Sequence, residues 1–385
     1  MRKAFAKLRY PKNAGIWPLM LVAFLFSFAM PHEMTAQSLL PDTVCEGTTQ
    51  RMYWVSGFPG STYSWTVEGG TIWPPGNNDT IMVNWSGISS GVYDITVVEH
   101  ALTGCSGDTI TGQVYIVPVS YVNFNPCFDT ITLTNAKPIK LKGGIPLGGI
   151  YSGPGVINGF FYPPVAGPGN HIITYSYSNT YGCTSFAHSL IHSFTQSLIP
   201  CGILFTDIRD GTIYPTVPIG TQCWLRKNLN FGNNIPGNMF QTDNCQIEKY
   251  CYNDSLINCT SKGGLYQWDE IMQYETSEGL QGLCPPGWHV PSKDEWLVLL
   301  NFFNGAAFAG DALKTGCPSG FDAMLDGAFF ANQEYIYGGF ATFFWTSTPH
   351  SDIKAWSHGF NDPDPGVSTY PSSVQNAFYV RCIRD

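Results

Sequence analysis

Apolar and polar residues alternate in short runs along the first part of the chain, and turn residues separate the runs. Within residues 38–118, β-branched and aromatic side chains alternate or cluster in Thr62–Val67, Thr80–Trp85, Tyr93–Glu99 and Gln113–Pro118. Glycine and proline interrupt them at Gly69-Gly70, at Pro74-Pro75-Gly76 and at Gly91. Short strands at a spacing of roughly ten residues predict a β-sandwich.

The next segment, residues 119–200, repeats this plan with many glycines and prolines. Its main runs are Cys127–Leu133, Gly143–Val156 and Gly159–Tyr177. Glycine supplies positive φ angles at turns, and proline fixes φ at strand starts and edges. We therefore expect a second β-sandwich, which makes the two segments a loose duplication.

The last segment, residues 201–385, combines strand patterns with the pattern of a helix. Asp210-Gly211 predicts a two-residue hairpin turn. Ser292 and Glu295 form the S-x-x-E pattern of a capping box, which predicts a helix over 293–303 that ends at Asn304-Gly305. The remaining apolar runs predict strands and loops: Gly320–Leu325, Phe343–Pro349, Ala355–Phe360 and Phe378–Cys382. The predicted fold class is mainly β, with two β-sandwiches followed by an α+β domain.

The N-terminus has the pattern of a signal peptide over residues 1–36. A basic stretch ends at Lys12, the uncharged run Trp17–Met30 follows, and Ala36 is a small residue at the predicted cut. Such a run is shorter than the roughly twenty residues that a membrane span needs. An uncleaved N-terminal anchor is the alternative. We expect an exported protein with no transmembrane segment after cleavage.

Composition and charge agree with export and exclude some partners. Charged residues make up 12% of the chain and aromatic residues 15%. Without residues 1–36, 14 basic and 27 acidic residues remain, a net charge of −13. Such an acidic surface argues against binding to nucleic acid and to anionic membranes.

All twelve cysteines follow the predicted signal peptide, so up to six disulfides are expected in an oxidising compartment. In each sandwich segment one cysteine precedes the first strand and another follows a late strand. We therefore pair Cys45 with Cys105 and Cys127 with Cys183. Zinc is disfavoured because the cysteines from Cys245 onward show no C-x-x-C pair.

The two sandwich segments resemble surface modules of bacteria. In the first, the patterns CEG, YSW, WSG, GVYDITV and GCSGD resemble PKD-like and immunoglobulin-like repeats of Bacteroidetes surface proteins. In the second, the runs from CFDTITL to the late Gly-Cys pair recur in bacterial immunoglobulin-like modules. The resemblance implies two domains that act as a stalk or spacer.

The last segment resembles the Fibrobacter succinogenes major paralogous domain over about 180 residues. The matching motifs, in order, are DGTIYPTVPIG, QCWLRKNL, EKYCYND, GGLYQW, CPPGWHVPSKDEW, WTST and the terminal YVRC. That family is similar to the C-type lectin-like fold, in which a cysteine bridge joins the helix side to the last strand. The resemblance covers fold and location, because the family has no established activity.

Within this domain we expect Cys284 to pair with Cys382, because the last strand must return beside the helix cap. Cys251 and Cys259 should form a local bridge. The partners of Cys201, Cys223, Cys245 and Cys317 stay open. The region Lys314–Phe321, which holds Cys317, departs from the family pattern.

Candidate chemistry is sparse, and we expect no catalytic residue, no metal ion and no cofactor. His289 has no ligand or base at suitable spacing, so a buried histidine that locks its turn is favoured. Asn361, Asp362 and Asp364 offer calcium-type oxygen ligands, but a solvated turn is favoured. Glu270, with Asp269, is assigned to a helix surface.

Asp followed by Thr and Ile or Val recurs at Asp42, Asp79, Asp108 and Asp129. This resembles the O-glycosylation acceptor of exported Bacteroidetes proteins. The alternative is that aspartate simply opens a strand, and the two remain open.

The predicted function is that of an exported, non-enzymatic protein at the surface of, or released from, a Gram-negative bacterium of Bacteroidetes type. A lectin-like head would bind an extracellular glycan or a surface protein. Alternatives are a structural surface component without a discrete ligand and, third, a polysaccharide-active enzyme.

The ligand is expected on loops between Phe343 and Tyr379, where aromatic rings for stacking mix with short polar side chains. The candidate contacts are Trp345, Trp356, Tyr370, Tyr379, His358, Asn361 and Asp362. His358, Asn361 and Asp362 are favoured as exposed contacts, since Trp345 and Trp356 also fit core positions.

Overall fold

The computed structural model describes residues 41–73, 75–76, 78–195 and 200–385. The predicted signal peptide lies outside these residues. The chain divides into two compact units. One extends to Tyr121 and includes Ser178–Ser185, and the other comprises Val122–Tyr177 and Phe186–Asp385. These units do not follow the three predicted domains one to one, because the second sandwich and the C-terminal domain share one unit.

The first sandwich has two sheets, with strand orders β1-β7-β6-β3 and β2-β5-β4. Its strands are β1 (Asp42–Cys45), β2 (Arg51–Trp54), β3 (Thr62–Val67), β4 (Thr71–Ile72), β5 (Thr80–Asn84), β6 (Gly91–His100) and β7 (Ile110–Val117). Inward residues of both sheets, among them Tyr53, Val83, Ile95 and Val114, pack with Trp85 in one core. The alternation read from the sequence thus forms a sandwich, because every second side chain of a strand faces the same side.

The second sandwich comprises residues 122–194. Its elements are β8 (Asn123–Phe124), β9 (Ile131–Leu133), β10 (Ile139–Lys140), β11 (Gly144–Ile145), β12 (Ile150–Ser152), β13 (Val156–Ile157), β14 (Phe160–Phe161), α1 (Pro163–Ala166), β15 (Gly169–Ser178) and β16 (Thr184–Phe194). The sheet orders are β12-β15-β16-β9, β10-β14-β13 and β11-β8. Phe161, Ile173, Tyr175 and Ile191 lie in its core.

Residues 201–385 form the head, a mixed α and β domain. Its first elements are β17 (Leu204–Thr206), β18 (Ile213–Ile219), β19 (Gln222–Leu225), β20 (Asn233–Asn234), β21 (Glu248–Lys249), a 3₁₀ turn (Tyr252–Asp254), α2 (Leu256–Lys262), β22 (Tyr266–Gln267) and α3 (Trp268–Ile271). Then follow β23 (Trp288–His289), α4 (Lys293–Phe302), α5 (Ala306–Leu313), β24 (Asp326–Phe329), β25 (Tyr335–Gly338), β26 (Ala341–Ser351), β27 (Lys354–Asn361), β28 (Val367–Ser373), β29 (Ala377–Phe378) and β30 (Ile383–Arg384).

Two sheets organise the head. One has the order β17-β18-β19-β30-β23, and the other runs β22-β29-β24-β26-β27-β28, with β25 against β24. The short strands β20 and β21 pair in parallel. Aromatic rings fill the core: the centroid of Trp296 lies 5.2 Å from that of Trp224 and 5.7 Å from that of Phe321. With helices confined to part of an otherwise β chain, the predicted mainly β class is confirmed.

Helix α4 begins where the capping box predicts. The Ser292 side chain accepts a hydrogen bond from the Glu295 N–H, and the Glu295 carboxylate accepts one from the Ser292 N–H. The helix ends at Phe302, and Asn304 and Gly305 then take positive φ angles of 65° and 95°. This start and stop agree with the predicted range to within one residue.

The predicted two-residue turn at Asp210-Gly211 is wrong in length. Strands β17 and β18 do pair as a hairpin, with Thr206 opposite Ile213, so six residues connect them. The turn is longer because the backbone bonds close around Asp207: its N–H donates to the Thr212 carbonyl, and the Gly211 N–H donates to the Asp207 carbonyl, both at 2.8 Å. Gly211 keeps the positive φ, 76°, that suggested a turn.

Five disulfides connect Cys45–Cys183, Cys127–Cys245, Cys201–Cys223, Cys251–Cys259 and Cys284–Cys382. The last two are the pairs expected from the sequence. Cys105 and Cys317 are free. Among the described residues no single helix is long and apolar enough to cross a bilayer, and only the bent pair α4 and α5 reaches that composition together.

The predicted bridge Cys45–Cys105 is wrong because the two residues lie at opposite ends of a sheet. Cys45 is opposite Val117, at the end of β7, whereas Cys105 lies beyond the other end of β7, at Ile110. Seven residues of strand span roughly 23 Å. A disulfide needs Cα atoms within about 7 Å.

The predicted bridge Cys127–Cys183 is wrong for a similar reason. Strands β9 and β16 pair in parallel from Ile131 and His192, which are four residues after Cys127 but nine residues after Cys183. The register of this pairing therefore does not bring the two cysteines to the same level. It bonds instead to Cys45, and Cys127 bonds to Cys245 in the head.

Candidate functional site

The region predicted to carry the ligand is regular sheet rather than loop. Phe343 to Tyr379 falls largely within β26, β27 and β28, which pair antiparallel as a meander. Its hydroxyl side chains are strand residues that bind neighbours. The Thr346 hydroxyl donates to the Trp356 carbonyl at 2.9 Å, and Ser357 and Ser372 hydroxyls lie 2.8 Å apart. The expected loop face is therefore wrong in its secondary structure.

Three of the predicted contact residues belong to the core: Trp345, Tyr379 and His358. Trp345 is fully buried, and its indole N–H donates to the Tyr266 carbonyl at 2.8 Å. Tyr379 is also fully buried, and its hydroxyl donates to the Asp326 carbonyl at 3.3 Å. Trp345 therefore has the core position that is the alternative to a ligand contact.

His358, predicted from the sequence as an exposed contact, is buried, so that prediction is wrong. Only 1% of His358 is exposed, its ring lies 4.7 Å from that of Trp296, and Nδ1 lies 2.9 Å from the Thr369 hydroxyl. Burial, with a smaller contribution from Lys293, lowers the pKa of His358 to about 3. It is a neutral core residue and is not available to a ligand from solution.

The other four predicted residues keep some exposure but do not converge. Trp356 lies under the ammonium of Lys293, which is 3.5 Å from the ring centroid. Tyr370 packs edge-on against Phe343. Asn361 and Asp362 lie where β27 ends, five and six residues beyond Trp356. These residues lie along β27 and β28 and in the loop after β27.

The acidic loop after β27 forms a hydrogen-bonded turn, in which the Asp364 carboxylate accepts the Gly366 N–H at 2.8 Å. Within the described residues no group of three His, Cys, Asp or Glu side chains is arranged to hold a metal ion.

A cleft of about 480 Å³ lies between the second sandwich and the head. Residues 126–129 and Lys142 of the sandwich line one side, and Asp210 and three further stretches of the head line the rest. The lining side chains are largely amides, carboxylates and hydroxyls, with three partly buried aromatic rings, Phe128, Phe231 and Tyr274. Sequence reasoning missed this site, because its residues are drawn from six separate stretches of chain.

The two sides of the cleft are joined covalently. The disulfide between Cys127 and Cys245 connects the sandwich to the loop between β20 and β21, which is part of the lining. Close beside it, the Lys142 ammonium lies 2.8 Å from the Asp243 carboxylate. Lys140 makes a second such pair with Glu275, also at 2.8 Å.

A buried charge cluster lies next to the cleft. The Arg209 guanidinium binds Asp207 at 2.8 Å and Asp129, from the sandwich, at 3.3 Å. Gln281 donates to Asp129 at 2.8 Å, and the Phe231 ring lies 3.9 Å from the Arg209 guanidinium carbon. Burial alone would lower the pKa of Arg209, but the two carboxylates raise it, so the cation persists.

Glu270 is a buried carboxylic acid in the lining of the cleft. Its carboxylate accepts the Glu248 N–H at 2.9 Å and the Tyr274 hydroxyl at 2.8 Å. Only 2% of Glu270 is exposed, and burial raises its pKa to about 7, with Glu248 and Asp243 adding to the rise. The sequence assignment of Glu270 to a helix surface is therefore wrong, although its neighbour Asp269 is exposed.

Lys249 also lines the cleft. Its ammonium lies 3.4 Å from the Asn230 carbonyl, a weak contact. Burial lowers the pKa of Lys249, and Asp210 partly offsets this. The side-chain oxygen of Asn230 is buried and has no hydrogen-bond partner among the described residues. Side chains of adjacent strand residues point to opposite faces of a sheet. The Lys249 side chain is therefore separated from the contacts that Glu248 and Glu270 make.

His289 behaves as the sequence predicts. It is 3% exposed and bridges two carboxylates, Nδ1 to Asp385 at 2.6 Å and Nε2 to Glu295 at 2.9 Å. Burial alone would lower its pKa, but both carboxylates raise it. Burial would raise the pKa of Glu295, yet His289 and Ser292 together lower it to about 2.

Residues 217–384 match the family model of the Fibrobacter succinogenes major domain, so the C-terminal part of the chain carries this domain. No curated protein matches the chain.

Solved structures show weak likeness. The fibronectin(III)-like modules of Clostridium thermocellum CbhA are 14% identical, with a TM-score of 0.23, over 40% of this chain and 89% of theirs. The D00-D0 domain of intimin is 12% identical, with a TM-score of 0.19, over 40% and 96%. A Ca²⁺-stabilised adhesin with which an Antarctic bacterium binds ice is 13% identical, with a TM-score of 0.24, over 50% and 63%. These scores are too low to bear on fold or function.

Proposed function

We propose that this is an exported, non-enzymatic protein that binds a glycan in the cleft between its second sandwich and its head. Five disulfides are typical of proteins exported to an oxidising compartment. The proposed location is the cell surface or surroundings of a Gram-negative bacterium, with the head as a lectin-like recognition domain.

The cleft itself is the observation that supports binding. Its volume of about 480 Å³ falls in the range of small-molecule sites, roughly 300–1,000 Å³. Side chains such as Asn233, Thr242 and Gln246 offer both donors and acceptors to sugar hydroxyls. The rings of Phe231 and Tyr274 offer apolar surface of the kind that packs on sugar rings. These features favour a glycan over the flat surface of a protein partner.

The experiment is a glycan array with the purified chain and two sets of variants. Asn233→Ala and Gln246→Ala remove exposed amides from the cleft, so they should weaken binding without unfolding the protein. Asn361→Ala and Asp362→Ala test the sheet surface favoured by the sequence and should leave binding unchanged. Asn301→Ala, at an exposed position of α4, is the matched control. The cleft is the wrong site if only the sheet variants weaken binding.

A structural component without a discrete ligand is the competing function. This function is supported by exposed apolar side chains of α4 and α5. Leu297 and Val298 are 50% exposed, Phe302 is 58% exposed and Phe308 is 65% exposed. Apolar side chains grouped on a surface are typical of contacts between proteins. A silent glycan array combined with self-association in sedimentation runs would favour this function over glycan binding.

A polysaccharide-active enzyme is the third possibility, and it depends on Glu270. A carboxyl group with a pKa of about 7 in a cleft can act as a proton donor at neutral pH. We propose binding without turnover, because both oxygens of Glu270 already accept hydrogen bonds from the protein. Release of reducing ends from a polysaccharide panel, abolished by Glu270→Gln, would reverse this assignment.

A further inference from the structure

We infer that the cleft selects glycans that carry an anionic group, a carboxylate or a sulfate, and that the ammonium of Lys249 holds this group. The inference rests on the proposed function and specifies its ligand class.

Two lysines line the cleft, and they differ in their partners. Lys142 has a carboxylate partner, Asp243, at 2.8 Å. Within the described residues Lys249 has no carboxylate within ion-pair distance, and its one hydrogen bond is to the Asn230 carbonyl at 3.4 Å. An ammonium group has three donors. A half-buried ammonium with one weak acceptor therefore has unused capacity that points toward a ligand oxygen.

The neighbouring groups extend this requirement. The exposed side chains of Asn233, Thr242 and Gln246 in the same lining can bind ligand hydroxyls. A cation in a lining of hydroxyl-binding groups matches a sugar that carries an acidic group as well as hydroxyls. A neutral sugar would leave the ammonium of Lys249 without an anionic partner at ion-pair distance.

The net charge of the chain and the acidic residues of the lining both oppose an anion, but their effect is smaller than that of Lys249. Without residues 1–36 the chain has a net charge of −13, which repels anions at long range. Charges are screened over about 8 Å at physiological salt, so nearby groups decide. Asp210 lies in the same lining and opposes an anion. Glu270 opposes it less, because with a pKa of about 7 much of it is uncharged at neutral pH.

The test compares three probes on the full exported chain by calorimetry: an oligogalacturonate, the same oligomer fully methyl-esterified, and a sulfated galactan oligomer. The ester keeps the rings and linkages but has no charge. We expect at least one of the anionic oligomers to bind about tenfold tighter than the ester, as expected for one partly buried charge pair. Preference for only one of them identifies the anionic group.

Variants then assign the effect to Lys249. Lys249→Gln should remove the preference for the anion, so that the anionic oligomer and its ester bind with equal affinity. Lys142→Gln, at the other lysine of the cleft, should keep the preference. Asp210→Asn should increase affinity for the anionic oligomer, because it removes the opposing charge. The inference is wrong if the ester binds as tightly as both anions, or if Lys249→Gln retains the preference.

These outcomes separate the inference from the function on which it rests. Cleft binding of neutral glycans with no preference for anions would overturn only the inference. An array and calorimetry with no saccharide binding at all would overturn both.

Discussion

Asp129 of the second sandwich and Arg209 of the head form an ion pair, 3.3 Å between Oδ2 and Nη1, beside the cleft. Arg209 is 8% exposed and Asp129 17%. Arg209 also binds the fully buried Asp207. Removing the cation would leave two carboxylates in a largely dry site, whereas most surface pairs contribute little.

We therefore predict that Arg209→Met lowers the free energy of unfolding by about 3–5 kcal/mol, the usual cost of leaving a buried charge without its partner. The control is Asp243→Asn, which removes another sandwich–head pair whose acidic side chain is 52% exposed. It should cost about 1 kcal/mol or less. Urea unfolding measures both. Equal costs for the two variants would show that the buried pair does not hold the sandwich to the head.

Particular residues show how far the sequence predicts this structure. The run Thr62–Val67 is a strand with the predicted ends, and Ser292 and Glu295 begin α4 as predicted. Both features depend on residues that are close in the sequence. The cleft depends on residues far apart in the sequence, such as Cys127, Lys249 and Tyr274, which only the folded chain brings together. The periodicity of α3 gives no signal for Glu270, which lies between the buried Trp268 and Ile271.

The disulfides give a second prediction. Cys127→Ser with Cys245→Ser should cost about 5 kcal/mol in the chain-entropy model, because the bridge closes a sequence separation of 118 residues. Cys251→Ser with Cys259→Ser opens a separation of 8 residues, for which the same model gives about 2.5 kcal/mol. Equilibrium unfolding of the two double variants measures the difference. A larger cost for the short bridge would contradict the entropic account.

Peptide mapping tests the pairings themselves. In the native chain a maleimide should label Cys105, which is free and exposed, before Cys317, which is free and half-buried. Labelling requires access of the reagent to the thiol. Non-reducing digests should link Cys45 to Cys183. A peptide that links Cys45 to Cys105 would contradict the arrangement of the first sandwich.

Two histidines should affect stability with opposite dependence on pH. The raised pKa of His289 stabilises the folded chain below about pH 6.5, the unfolded value, and this is lost as pH rises through the folded pKa. The lowered pKa of His358, about 3, destabilises the folded chain below pH 6.5, because only the unfolded state gains the proton.

Accordingly, His289→Gln should cost more at pH 5 than at pH 8. His358→Gln should be relatively more stable at pH 5 than at pH 8, by about 2 kcal/mol for the proton that the native side chain excludes. Unfolding free energies of both variants and the wild type at the two pH values measure this. Parallel pH dependence in the two variants would show that one of the two environments is wrong.

Glu270 supplies the last prediction. Its pKa of about 7 exceeds the ordinary 4.5, so the folded chain disfavours the charged form. The resulting stability is complete below pH 4.5 and is lost as pH rises through 7, a difference of about 3 kcal/mol. Glu270→Gln should remove this dependence, because the amide oxygen can still accept the Glu248 N–H and the amide N–H can donate to Tyr274.

The variant should therefore be more stable than the wild type above pH 7 and close to it below pH 4.5. Glu295→Gln is the control of opposite sign, because the lowered pKa of Glu295, about 2, stabilises the fold above pH 4.5 and that stability is lost as pH falls toward 2. Denaturant titrations at pH 4, 6 and 8 give the three profiles. If Glu270→Gln is less stable than the wild type at pH 8, the carboxylate is stabilised by its neighbours there, and the cleft is charged at neutral pH.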